Sequence, residues 1–141
     1  MTSIQFSHSA LSFLDQGVVT AGFDAHSESL KAPEYKTERL NWRALNESGE
    51  LIGALTANLL WDWLYIDELW VDEQYRKAGL GKQLMAEAEH MAEDRDLSGL
   101  WLWTQSWQAE EFYKKLGYVE FTRFDNFPKG YERIGLRKEF K

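Results

Sequence analysis

The segment Tyr75–Lys82 reads YRKAGLGK, with two glycines one residue apart and Arg76, Lys77 and Lys82 around them. It follows the run WLYIDELWV (63–71), rich in aromatic and β-branched residues, which predicts a strand. Beyond it Leu80, Leu84, Ala88 and Met91 recur at helical spacing and predict a helix to about Arg95. SGLWLWT (98–104) then reads as a short buried strand. Strand, helix and strand in so short a span describe a right-handed βαβ crossover joining parallel strands.

Outward from this unit the chain stays legible on both sides. RLNWRALN from Arg39 alternates, ESGE signals a turn, and LIGALTANLL returns, which predicts a hairpin. On the other side Ser106 is placed to cap a helix with Glu110 and Glu111 in its first turn and Lys114 and Lys115 in its last. Gly117 follows as the terminating residue. YVEFTRF and ERIGLRKEF close the chain as a hairpin about NFPKG. In the N-terminal third, SIQFS predicts a short strand, Ser9 a cap for a helix that ends at Gly17, and Glu28–Tyr35 a second helix about Pro33. The expected order is β-α-α-β-β-β-α-β-α-β-β. That is a single α+β domain over residues 1–141, a three-layer α/β/α arrangement with helices on both faces of a mixed, mostly antiparallel sheet.

Composition narrows the function. The chain has 141 residues, 44% hydrophobic and 28% charged, which suits one soluble domain with a proper core. A formal net charge of −7 with no basic stripe argues against a nucleic-acid partner and favours cationic ones. The absence of cysteine excludes disulfides, thiolate nucleophiles and Cys-ligated metals, and fits a cytoplasmic protein. No signal peptide and no membrane-length apolar run is seen. His8, His26 and His90 have no metal-ligand spacing, so no metal is expected.

Three phosphate-binding patterns can be tested on the opening segment. A Walker A loop needs Gly five residues before Gly81 and Ser or Thr after Lys82, where Arg76 and Gln83 stand. The dinucleotide pattern Gly-x-Gly-x-x-Gly fails at Leu84. The pattern [Gln/Arg]-x-x-Gly-x-[Gly/Ala] is met by Arg76-Lys77-Ala78-Gly79-Leu80-Gly81. Glycines let backbone approach an anion, and the following helix points unpaired N–H groups and its positive dipole end at the same spot. Arg76, Lys77 and Lys82 add mobile positive charge.

LYIDELWV, YRKAGLG and, one βαβ unit later, AEEFYKKLGY together resemble the GNAT superfamily of acyl-CoA-dependent N-acyltransferases. The resemblance covers Leu51–Lys141 closely and the N-terminal third in element order only. WLYIDELWVDE with FPKGYERIGLRK is similar to a branch of small bacterial GNAT proteins of poorly defined substrate, many of which have His where Tyr131 stands and Gly where Lys77 stands. The resemblance implies a bulged strand 65–71 that splays from strand 100–104, with acyl-CoA in the gap. It implies that backbone groups of Leu69, Trp70 and Val71 hold the pantetheine arm and that Arg76, Lys77, Ala78, Gly79, Leu80, Gly81 and Lys82 cradle the pyrophosphate. The implied chemistry is direct attack of a neutral amine on the thioester of acetyl-CoA, with one proton leaving the ammonium and one reaching the sulfur.

Tyr113 is then the expected acid for the sulfur; the alternative is a core tyrosine. Asp67 and Glu68 are candidates for amine deprotonation. As neighbours in a strand they are expected on opposite faces, so that one alone reaches the acceptor, with Glu68 preferred. Ser106 either binds the cofactor or caps its helix, and Trp101 and Trp103 either line the cleft or pack under a helix, with the core preferred. The expected activity is acetylation of a primary amine on a small cationic molecule. The alternatives are a protein lysine or N-terminal acetyltransferase and a non-catalytic acyl-CoA-binding module. A homodimer is expected from the resemblance.

Overall fold

A computed structural model describes residues 3–140. The chain divides into two compact units, Met1–Tyr35 and Lys36–Lys141. The first is built on one helix, α1 (Phe13–Ser29). Ser12 caps it: its hydroxyl accepts from the Asp15 N–H at 3.0 Å, and the Asp15 carboxylate accepts from the Ser12 N–H at 3.2 Å. This reciprocal box sets the start three residues after the expected cap, Ser9. The helix then runs through Gly17, the expected stop, and through Gly22. A glycine inside a helix weakens it by about 1 kcal/mol without ending it. SIQFS forms no strand, and residues 32–35 are not helical.

The second unit is a six-stranded sheet of β1 (Thr37–Leu45), β2 (Leu51–Leu60), β3 (Trp63–Val71), β4 (Gly99–Gln105), β5 (Val119–Asp125) and β6 (Glu132–Glu139). It carries two helices, α2 (Leu80–Asp94) and α3 (Glu110–Lys115). The strand order is β1-β2-β3-β4-β6-β5. Every neighbouring pair is antiparallel except β3–β4, the parallel pair that the crossover through α2 requires. The fold class is therefore α+β with a mixed, mostly antiparallel sheet, as the motifs predict.

Alternation decides the core. Leu55, Ala57 and Leu59 of β2, Leu64 and Ile66 of β3, Leu100 and Leu102 of β4, and Ile134 and Leu136 of β6 point to one face. There they meet Leu84, Met85, Ala88 and Ala92 of α2 and Tyr113 of α3 in one cluster. Each buried leucine or isoleucine in it contributes about 1.5–3 kcal/mol. Both helices of this unit lie against that face. The other face of the sheet carries Tyr65, Trp101, Trp103 and Phe121, in contact with one another at centroid separations of 4.5 to 6.3 Å. Trp101 and Trp103 thus lie outside the core expected for them, half-buried on the opposite face. Their neighbours Leu100 and Leu102 take the core positions.

Candidate active site

The ladder between β3 and β4 is short. It runs from Trp63–Gly99 to Ile66–Leu102 and stops, although β3 continues to Val71 and β4 to Gln105. The edge of Asp67–Val71 that faces β4 therefore has no strand partner, and a gap opens between the two strand ends. Of the expected backbone ligands on this edge, Leu69 and Val71 turn their side chains toward the core, and Trp70 turns outward, half-exposed.

A β-bulge marks the point of divergence. Thr56 pairs with Glu68 and Ala57 with Ile66, so Asp67 is the extra residue on β3. The bulge overturns the expectation that Asp67 and Glu68 face opposite ways. Both carboxylates meet Arg39 of β1 on the face away from the helices, at 3.1 Å for Asp67 and 3.9 Å for Glu68. The two are not equivalent. Asp67 accepts a hydrogen bond from the Arg39 guanidinium, whereas Glu68 accepts from the Thr56 hydroxyl at 3.0 Å. The Glu68 side chain is 69% exposed and that of Asp67 39%. Glu68 is thus oriented yet open, while Asp67 is engaged.

The glycine segment lies beyond the end of β3. A 3-10 helix over Glu73–Ala78 leads to Gly79, at φ 79° and ψ 14°, and α2 starts at Leu80. That left-handed geometry strains any residue with a Cβ, while a Cβ built there meets nothing within 4 Å. No side chain caps α2, so the N–H groups of its first turn, from Leu80, Gly81 and Lys82 onward, have no side-chain acceptor. Arg76 is tethered where a free side chain was expected: its Nε donates to the Val71 carbonyl at 3.2 Å and ties the 3-10 helix back to β3. Lys77 and Ala78 are exposed. Gly81 faces Phe112 and Val71. The Leu80 side chain packs over Gly53. Lys82 lines a depression with Glu89, Glu93, Lys115 and Lys138.

Tyr113 sits on α3 with its residue only 8% exposed, against Phe112 and Tyr118. Burial pushes its phenol up to about 12, so it holds its proton throughout the neutral range. Ser106 does not cap α3, which begins four residues after it, behind Ala109. Its hydroxyl instead accepts from the Glu132 N–H at 3.1 Å and pins the closing hairpin to β4. Tyr131 is half-exposed, edge-on to Trp107 at 5.0 Å. Asp62, another acid, accepts from Ser98 at 2.6 Å and fastens the β2–β3 turn to the start of β4. Arg39 and Thr56 were not foreseen. The signal for them was the doublet Asp67–Glu68 between core residues Ile66 and Leu69, which breaks strict alternation and marks the bulge.

The sequence and the geometry agree with those of known proteins. The profile of the acetyltransferase (GNAT) family matches residues 13–118. A blasticidin-S acetyltransferase of Streptomyces morookaense is 40% identical over 97 residues, 68% of this chain and 71% of that protein. A crystal structure of an acetyltransferase from Bacillus cereus superposes with a TM-score of 0.82 at 30% identity, over 96% of this chain and 97% of the other. A candidate streptothricin acetyltransferase of Bacillus anthracis, solved in complex with acetyl coenzyme A, superposes with a TM-score of 0.66 at 28% identity, over 74% of this chain and 64% of the other.

Proposed function

The chain belongs to the acetyltransferase (GNAT) family, and on that premise we propose that it acetylates the primary amine of a small molecule, working as one domain over residues 1–141. Acetyl-CoA supplies the activated acetyl thioester. The residues present fit it: a β3 edge without a strand partner, Gly79 with open space above it, and an uncapped α2 start. Edge groups of Leu69, Trp70 and Val71 take the pantetheine arm. Backbone from Lys77 to Lys82 takes the pyrophosphate, and the dipole of α2 complements its charge.

Glu68 removes the proton from the acceptor ammonium. It is the carboxylate that Arg39 holds less closely, and the Thr56 hydroxyl fixes its orientation. Asp67, held by Arg39, keeps the pair on one face. Tyr113 supplies the proton that the departing sulfur needs, since burial keeps its phenol protonated. The carrying observation is the bulge that turns Asp67 and Glu68 together onto the open face beside the strand gap. The similarity to a blasticidin-S acetyltransferase supports a small-molecule acceptor over a protein one.

The test is release of CoA thiol from acetyl-CoA with a panel of amines that includes blasticidin S and lysine peptides. Turnover is expected with small amines and little with peptides; binding without turnover of any amine would leave only an acyl-CoA-binding module. As a control, Gly79→Glu is expected to weaken acetyl-CoA binding at least ~100-fold, since it adds strain, bulk and negative charge at the helix start.

A further inference from the structure

The open face of the sheet carries a second charged group close to the strand gap, and it is positive. Arg133 of β6 is in register with Gln105, the last residue of β4, three positions past the end of the β3–β4 ladder. Its neighbour Ile134 is in the core, so Arg133 turns to the face that carries Asp67 and Glu68. Its guanidinium lies 4.7 Å from the centre of the Trp103 ring and 5.5 Å from that of Phe127. Two aromatic contacts hold the plane in place. The Phe127 shelf is itself fixed, because the Gln105 side chain donates to its carbonyl at 2.8 Å.

Arg133 differs from the other arginines of this face. Arg39 pairs with Asp67, and Arg137 with Glu139 at 3.5 Å. Among the described residues Arg133 makes no ion pair. Burial raises the phenol of Tyr65 on the same face, the Asp67 carboxylate adds to the rise and the Arg133 guanidinium opposes it. Tyr65 thus interacts with both charged groups. Ion-pairing partners on the β3 side sum to one negative charge, from Asp67, Glu68 and Arg39; the β6 side offers one unpaired cation.

We propose that Arg133 is the acceptor's anion site, and that the acceptor is an amine that also carries a carboxylate. This rests on the acyl-transfer reading above. The ammonium is drawn to the Glu68 side of the gap, and the carboxylate takes the flat N–H edge that the two rings hold in place. Gly135 keeps this floor low: a Cβ there would meet Thr122 at 2.6 Å and Phe121 at 3.0 Å, so Phe121 lies directly over the backbone between Arg133 and Arg137.

The test compares acceptors that differ only in their anion. Glycine, β-alanine and γ-aminobutyrate, each beside its carboxamide, vary the spacing between amine and carboxylate. The wild-type protein is expected to turn over at least one carboxylate ~10-fold or more better than its amide in kcat/KM, the range of one charge-assisted hydrogen bond. Arg133→Gln is expected to bring the two within about twofold by raising KM for the carboxylate, with acetyl-CoA affinity unchanged. Arg133→Lys, which keeps the charge without the planar fork, is expected to fall between, and serves if the glutamine variant does not fold. Equal turnover of acid and amide, or a preference that survives in both variants, overturns the proposal while leaving the acyl-transfer reading intact. No thiol release with any amine overturns both.

Discussion

Strand β3 is two structures end to end. From Trp63 to Ile66 it is bonded on both sides, to β2 and to β4, and its inward residues Leu64 and Ile66 are buried under α2. From Glu68 to Val71, past the unpaired Asp67, it keeps β2 and loses β4. The first half has its backbone groups spent and its side chains packed. In the second half, backbone is left over for a ligand, and two carboxylates stand on a bulge. The difference teaches what withheld pairing makes available: the same strand that anchors the core has an unpartnered edge where its neighbour departs.

The comparison can be broken at the open half first. Glu68→Gln is expected to lower kcat by about 10²–10⁴-fold with acetyl-CoA affinity and thermal midpoint unchanged, whereas Asp67→Asn should cost less than about tenfold. Steady-state kinetics decide it, and equal losses would mean that the pair acts as a unit. At the closed half the effect changes in kind, touching stability before turnover. Leu64→Ala is expected to cost about 2–5 kcal/mol in urea unfolding, since its side chain is wholly buried. The same truncation at half-buried Leu69 should cost less.

The smallest effect is a pH dependence on the helix side. Burial raises the phenols of Tyr113, to about 12, and of Tyr118. Above pH about 10 the unfolded chain loses phenolic protons that the folded chain keeps, so stability falls as pH rises until the folded phenol titrates. Tyr113 accounts for a fall on the order of 2–3 kcal/mol, about two pH units at roughly 1.4 kcal/mol each. Unfolding midpoints between pH 8 and 12 should therefore drop less steeply in Tyr113→Phe, which should also turn over more slowly.

Most of the second unit was legible because its elements obey one period at a time. The predicted strand 63–71 and the helix beginning at Leu80 match β3 and α2. The readings failed where a side chain overruled the period. Ser106 looks like a cap, yet its hydroxyl serves the Glu132 N–H, and the Ala109 N–H reaches the Thr104 hydroxyl at 3.4 Å. Trp101 and Trp103 alternate with Leu100 and Leu102, and alternation alone does not say which set faces the helices. In the first unit the signal was a capping box at Ser12–Asp15, which outweighed two glycines. At the site, the cradle motif and Tyr113 are local words in the sequence. Arg39 and Thr56 belong to it only through cross-strand register, which no local pattern spells out.

The bulge at Asp67 also acts as a phase shifter. Core residues on β3 are two apart at Leu64 and Ile66, three apart across the bulge, and two apart again at Leu69 and Val71. The strand thereby serves the same helical layer at both ends while presenting two successive side chains to the opposite side. Deleting Asp67 would restore strict alternation with Leu64, Ile66, Leu69 and Val71 still facing the core, and would leave Glu68 as the lone carboxylate on the open face. One inserted residue thus separates what the strand owes to the core from what it presents to the open face.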